Sequence, residues 1–308
     1  TCFSLLETTM RVYSLTDNDN DFLGIEQNSV MLDLTKAIAL FEFTKTGYST
    51  GPVLDIETLI WGNRFNLEFL GEIMEFVEKH DLLDELTVND TYTVNAPLYP
   101  GKIIALGNNY VKHIQEMNNK MPEKPVLFGK WPSTVIGQGE PIIKPTGIGL
   151  MSYEAELAFI VGKRAKHVPA KDAMDYIAGY TCLNDVTARD VQRKDRSINL
   201  PWMPSKNYDT FTPLGPCVLL SGMVKAPVEI GVQSTVNGEL RQNGNTRDFI
   251  FDIPTVFEYI TRIMALDPCD IVTTGTPEGV GAIEPGDTVT VTCEGIGTLS
   301  NPVSEPEQ

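Results

Sequence analysis

Apolar positions recur along this chain with two different periods, and the change of period divides it. Between Phe65 and His80, Leu67, Leu70, Ile73, Met74 and Val77 return at helical spacing while Glu68, Glu72, Glu75 and Lys79 fall between them. That pattern predicts an amphipathic helix with one face on a core. A strand-like run begins at Met10-Arg11-Val12-Tyr13-Ser14-Leu15, and another spans Val30 to Leu34. A short helix is expected from Thr35 to Phe41, with Thr35 as its N-cap. Asn95-Ala96-Pro97-Leu98-Tyr99-Pro100-Gly101 interrupts helix and ladder alike.

Beyond that break the runs are short and β-branched or alternating: Lys102 to Leu106, Ala155 to Val161, Cys217 to Leu220, Gln233 to Val236, Ile271 to Thr274 and Thr288 to Cys293. Helices are expected near Lys171 to Ile177 and Pro254 to Ala265, where Pro254 suits the first turn. Strands this close together, without regular intervening helices, predict a β-rich α+β roll or sandwich, not a doubly wound sheet. The expected organisation is an extension at residues 1–9, a small α/β domain at 10–97, a larger domain at 98–303 and a tail at 304–308.

Composition narrows the function. With 42% hydrophobic residues in 308, the chain can bury roughly three quarters of its surface. Its net charge of −17 has the wrong sign for nucleic acid or an anionic membrane, which need clustered Lys and Arg. No apolar run approaches the roughly 18 residues of a membrane span, and the start, Thr1-Cys2-Phe3-Ser4, lacks the segments of a signal peptide. A soluble, cytoplasmic protein is expected. The five cysteines are scattered and never form a C-x-x-C pair, so they read as small buried hydrophobes and not as a disulfide or zinc framework. Asn89-Asp90-Thr91 fits a glycosylation sequon, a pattern short enough to arise by chance.

The chain contains no G-x-G-x-x-G, P-loop, G-x-S-x-G or H-E-x-x-H motif. Candidate chemistry lies instead in carboxylates. Glu154 and Glu156 stand two apart at the entrance to the Ala155–Val161 run, so on a strand they share a face. Asp185 follows Asn184 in a later segment. Three such acids are hard oxygen donors suited to Mg²⁺, Mn²⁺ or Ca²⁺, although an E-x-E by itself also describes a solvated strand face. In Asn108-Asn109-Tyr110-Val111-Lys112-His113-Ile114-Gln115-Glu116, a helix makes His113 and Glu116 neighbours, a pairing that can activate water. Arg189 and Gln192 share helical spacing, and Lys206 lies amid aromatic and proline residues; cationic and amide donors there can hold a carboxylate or an oxyanion. His80 and His167 read as exposed.

Taken in order, these segments resemble the fumarylacetoacetate hydrolase family over about residues 102 to 302. The carriers are Gly107-Asn108-Asn109-Tyr110 with His113 and Glu116, then Tyr153-Glu154-Ala155-Glu156-Leu157, then Asn184 through Gln192. They continue with Ser205-Lys206, Val236-Asn237-Gly238-Glu239-Leu240-Arg241-Gln242, Thr274-Gly275-Thr276-Pro277-Glu278-Gly279 and Gly295-Ile296-Gly297. The resemblance implies a mixed β-sandwich roll behind a small N-terminal α/β domain, usually as a homodimer. It implies a metal triad of Glu154, Glu156 and Asp185 holding a divalent ion, Mg²⁺ foremost. It further implies a His113–Glu116 dyad, catalytic or oxyanion contact by Lys206, and substrate contacts by Arg189, Gln192, Tyr110 and Thr276. Asn109, and Asn207-Tyr208 after Lys206, are departures expected to touch the pocket. The implied activity is metal-dependent C–C hydrolysis of an acylpyruvate-like dioxo acid to a 2-oxo acid and a carboxylic acid. Decarboxylation or isomerisation of related 2-oxo acids is the alternative, and a non-catalytic binding protein a remote one. Asn118 to Pro125 is expected to belong to a lid.

Overall fold

A computed structural model describes residues 9–306 apart from 19, 50, 90 and 117–119. The expected extension up to residue 8, the centre of the sequon, the first two lid residues and the last two of the tail therefore lie outside the described residues. The architecture is the expected sheet-rich α+β one. An eleven-stranded mixed sheet dominates, its main path running Val30–Asp33, Asn20–Gln27, Arg11–Asp17, Thr212–Leu220, Ile177–Asn184, Ala155–Val161, Ile271–Thr273, Ile103–Gly107 and Val126–Lys130. A five-stranded sheet contains Gly231–Val236, Glu239–Asn245, Thr288–Cys293, Gly297–Ser304 and Ile142–Ile143.

Side-chain alternation explains the layering, because successive residues of a strand point to opposite faces. Ala158, Ile160, Leu183, Leu214, Val218 and Leu220 enter one core together with Leu70, Ile73, Met74 and Val77 of the helix Leu67–Lys79. Their sequence neighbours Leu157, Phe159, Cys182, Cys217 and Leu219 enter another core, with Val232, Val291 and Leu299 of the smaller sheet and Val256, Phe257 and Ile260 of the helix Ile253–Ile263. The central strands are therefore covered on both faces. That is why Ile177–Asn184, buried throughout, shows no polar alternation and gave no strand signal in sequence. Strand Arg11–Asp17 pairs with Thr212–Leu220, Arg11 opposite Leu219, so residues before and after the proline break share one sheet and one core.

The predicted elements are present with small shifts. The amphipathic helix runs Leu67–Lys79, capped by Asn66, and the later one starts one residue before Pro254. The run near Lys171 is a 3₁₀ helix, Ala170–Tyr176. One reading is corrected. The helix Leu34–Thr46 is capped by Asp33, whose side chain accepts from the Lys36 N–H at 2.8 Å. Thr35 lies inside it, accepting from the Leu23 N–H at 2.9 Å and donating to the Val53 carbonyl at 2.6 Å. Its hydroxyl staples strand, helix and loop, a tertiary role that local sequence does not encode. Among the described residues no helix is long and apolar enough to cross a membrane.

Asp33→Ala should cost about 1 kcal/mol as a lost cap. Thr35→Val should cost about 1–3 kcal/mol because two buried backbone groups lose their partner. Urea unfolding of both variants checks the assignment, which fails if Thr35→Val is neutral.

Candidate functional site

Sheet register assembles the acids. Strands Ala155–Val161 and Ile177–Asn184 run antiparallel with Ala155 opposite Asn184, which brings Glu154, just before the first, against Asp185, just after the second. Glu156 shares Glu154's face, as its spacing predicts. Oxygens of Glu154, Glu156 and Asp185 all lie within 4.8 Å of one another, and all three residues are buried. The next strand, Ile271–Thr273, continues past them as Thr274-Gly275-Thr276, where the Gly275 N–H donates to Glu156 Oε2 at 3.0 Å and Thr276 Oγ1 donates to the Ala155 carbonyl at 2.9 Å.

Carboxylates packed so closely need counter-charge. Lys206 Nζ, on the short helix Met203–Lys206, lies 2.9 Å from Glu154 Oε2 and 2.5 Å from Asp185 Oδ2. Lys130 Nζ is 2.7 Å from Asp185 Oδ1 and donates to the Lys206 carbonyl at 2.6 Å. Arg189 pairs with Glu154 Oε1 through Nη2, and it donates to Ser152 Oγ at 2.7 Å and to Gln192 Oε1 at 2.9 Å. The Asn184 side chain accepts from the Glu154 N–H at 2.9 Å. Arg189 opens the helix Arg189–Ser197, where Asp190 occupies the first turn and Lys194 and Arg196 the last, each matching the helix dipole.

The charges separate accordingly. Burial would raise Glu154, but Lys206 and Arg189 outweigh it and bring its pKa to about 2. Glu156 goes the other way, well above the ordinary carboxylate range, because burial is reinforced by Asp185 and Glu154. Burial opposes the charge on Lys206, yet Asp185 and Glu154 lift its pKa above the usual lysine value; Lys130 is held below it by burial. A trio of hard, buried oxygens with one member short of positive partners fits a divalent cation.

His113 lies on the helix Val111–Glu116, its Nδ1 3.5 Å from Glu116 Oε2. Both Glu116 oxygens accept from the Gly279 N–H at 3.2 Å. Gly279 holds φ +95°, and a Cβ there would meet the Arg241 carbonyl oxygen at 2.1 Å, so glycine is required. Burial lowers the His113 pKa from its ordinary value although Glu154 pulls it up, leaving a neutral imidazole near pH 7.

These groups open on one small cavity of about 30 Å³ lined by His113, Glu154, Glu156, Arg189, Gln192, Lys206 and Thr276, with Asn108, Phe128, Arg196 and Trp202 also on its wall. Asp185 sits behind Lys206. Two expected contacts are placed differently. Tyr110 does not line the cavity: its ring packs edge-on against Phe249 at 5.0 Å. Arg189 lines it, but its guanidinium is engaged with protein partners, so it positions Glu154 and Gln192. Asn109 also faces away, bonding Phe251 and the Thr274 carbonyl. Asn207 binds the Trp131 N–H and the Gly129 carbonyl, and Tyr208 packs on Phe211. Sequence reasoning missed Lys130, Phe128, Trp202 and Arg196. Gln242, which sequence alone gives no role, is buried, donates to Thr276 Oγ1 and the Pro277 carbonyl and accepts from the Ala155 N–H. A lone lysine closing the strand Val126–Lys130 was the available signal for Lys130.

The family model for fumarylacetoacetate (FAA) hydrolase C-terminal matches residues 102–304. The chain belongs to the fumarylacetoacetate hydrolase family. Members of this family are enzymes, isomerases and hydrolases among them, and they use divalent metals. An uncharacterized protein of Pyrococcus abyssi is 48% identical over 205 residues, 66% of this chain and 90% of that one. The crystal structure of 5-carboxymethyl-2-hydroxymuconate delta-isomerase from Mycobacterium smegmatis is 34% identical with a TM-score of 0.72, covering 97% of this chain and 100% of that one. Maleylpyruvate hydrolase from Sphingobium sp. SYK-6 is 29% identical with a TM-score of 0.73, covering 96% and 100%. The fold of this family member thus extends through its N-terminal strands and helices.

Glu154→Gln strips a partner from both Arg189 and Lys206 and should cost about 3–5 kcal/mol in chelator. Glu156→Gln, with a backbone N–H as its partner, should change stability by less than about 1 kcal/mol. Urea unfolding reads this asymmetry, and calorimetry with Mn²⁺ should show that both variants lose metal affinity.

Proposed function

We propose that this family member is a divalent-metal-dependent hydrolase that cleaves a C–C bond in an acylpyruvate-like dioxo acid, giving pyruvate or a related 2-oxo acid and a carboxylic acid. The observation that carries the reading is the placement of the buried His113 beside Glu116 and the acids. Its Nδ1 lies 3.5 Å from Glu116 Oε2, and it opens on the same cavity as Glu154 and Glu156. Glu154, Glu156 and Asp185 would hold the ion, with Mg²⁺ foremost and Mn²⁺ or Ca²⁺ compatible. Such an ion supplies Lewis-acid stabilisation of an enolate.

The residues divide the remaining work. His113 takes a proton from water, and Glu116 stabilises the imidazolium. The resulting hydroxide adds to the distal carbonyl carbon, the bond to the methylene carbon breaks, and its electron pair passes into the 2-oxo group as an enolate that is then protonated. Lys206 supplies positive charge to the developing oxyanion. The Gln192 carbonyl is fixed by Arg189, which leaves its amide N–H₂ to donate to substrate. The same reading carries a small 2-oxo acid as the partner, a homodimer as the assembly and the cytoplasm as the compartment.

Isomerisation of a hydroxymuconate-type acid is the second reading, supported by the name of the Mycobacterium smegmatis structure. It needs the enolate chemistry but no attacking water. Purified protein with Mg²⁺ or Mn²⁺ should release pyruvate from acetylpyruvate, and chelator should abolish release. His113→Asn should lower kcat by about 10²–10⁴ with Mn²⁺ affinity unchanged by calorimetry. Full activity in chelator sinks the metal mechanism; isomerase turnover surviving in His113→Asn without acetylpyruvate cleavage by the wild type selects the second reading.

A further inference from the structure

One buried side chain close to the acids has no task in the chemistry above. Gln242 is the single buried residue of the strand Glu239–Asn245, whose other members are exposed or half-buried. A break in register turns it inward. Ser234 faces Gln242 but Thr235 faces Leu240, so Arg241 is left out of the ladder. A bulge of this kind re-aims the neighbouring side chain, here toward the start of the strand Ala155–Val161.

All four hydrogen-bonding positions of the Gln242 amide are filled. Oε1 accepts from the Ala155 N–H and from Ser234 Oγ, each at 3.0 Å, and Nε2 donates to the Pro277 carbonyl and to Thr276 Oγ1, each at 2.8 Å. The orientation of the amide is forced, because a peptide N–H only donates and a peptide carbonyl only accepts. Thr276 Oγ1 therefore accepts from Gln242, and its own O–H has to point elsewhere. It rests on the carbonyl of Ala155, the residue between Glu154 and Glu156, at 2.9 Å. Thr276 lines the cavity together with both acids.

We propose that Gln242 is a positioning residue: by donating to Thr276 it keeps that hydroxyl turned as a donor toward the acid end of the cavity, where the O–H switches from the Ala155 carbonyl to an oxygen of a bound 2-oxo acid. This rests on the proposed function only in seating a 2-oxo acid beside Glu154 and Glu156. A carboxylate or enolate oxygen wins the O–H from a neutral carbonyl because a charge-assisted bond is roughly twice as strong. Accepting from Gln242 also makes the hydroxyl a stronger donor. An apolar residue at 242 leaves the hydroxyl free to rotate and to present lone pairs to the same substrate oxygen.

The test is a double-mutant cycle in the full chain, read by calorimetric titration of pyruvate at saturating Mn²⁺, so that any change in metal affinity drops out. Thr276→Val and Gln242→Met should each weaken pyruvate about three- to tenfold, the worth of one hydrogen bond. The double variant should bind no more weakly than Thr276→Val alone. Gln242→Asn, whose shorter side chain cannot reach Ala155, Thr276 and Pro277 together, should behave as Gln242→Met does and replaces it if methionine prevents folding. A residue that only supports the strands would weaken pyruvate by the same factor with or without the Thr276 hydroxyl. Additive losses, a neutral Thr276→Val, neutral substitutions at 242, or no pyruvate binding by the wild type overturns the proposal. A parallel acetylpyruvate assay separates the two readings. Coupling without acetylpyruvate cleavage removes the hydrolase reading and leaves the positioning role standing; cleavage with additive losses does the reverse.

Discussion

Mutual repulsion among Glu154, Glu156 and Asp185 is the constraint to which the site is built. In a dry interior three acids with oxygens inside 4.8 Å would drive the strand ends apart or take up protons. The structure answers with cations drawn from separate parts of the chain: Lys130 from a strand, Arg189 from a helix start, Lys206 from a short helix. Arg189 is also tied to Ser152 and Gln192, and Lys130 to the Lys206 carbonyl, so the compensating charge is fixed in place. Compensation is uneven by design of the register. Glu154 receives two cations and Asp185 two, whereas Glu156 receives a backbone N–H. The remaining deficit is local, and it faces the cavity.

The large sheet makes such a cluster sustainable. Its central strands carry apolar side chains into a core on either face, one completed by the N-terminal helices and the other by the smaller sheet. Acids at the strand ends therefore sit on a framework whose register has little freedom, since a slip by one residue would turn every core side chain to the wrong face. Among the described residues, none before Leu106 lines the cavity. The part of the N-terminal residues in the chemistry is to close the apolar face of the sheet from which the acids project.

How far the sequence was legible depended on the distance over which each signal acts. Helix Leu67–Lys79 and the shared face of Glu154 and Glu156 follow from local periodicity, and His113 beside Glu116 from helical spacing. Asp185 could be suggested only as a third donor, because its approach depends on the pairing of Ala155 with Asn184. Ile177–Asn184 was hidden by being buried on both faces. Thr35 was misread as a cap because its partners, Leu23 and Val53, lie on other elements. Tyr110 was assigned to substrate through resemblance, yet its ring turns to Phe249. Arg196 and Trp202 carry no motif; only the fold brings them to the same wall.

Gly107 makes one wall of the cavity a shared property of two elements. The indole of Trp202 occupies the volume that a side chain at 107 would fill, so position 107 can gain a side chain only if the indole moves or is made smaller. Substitutions at the pair will combine non-additively. Reshaping this wall of the cavity is therefore a problem of co-varying a strand residue with a loop residue.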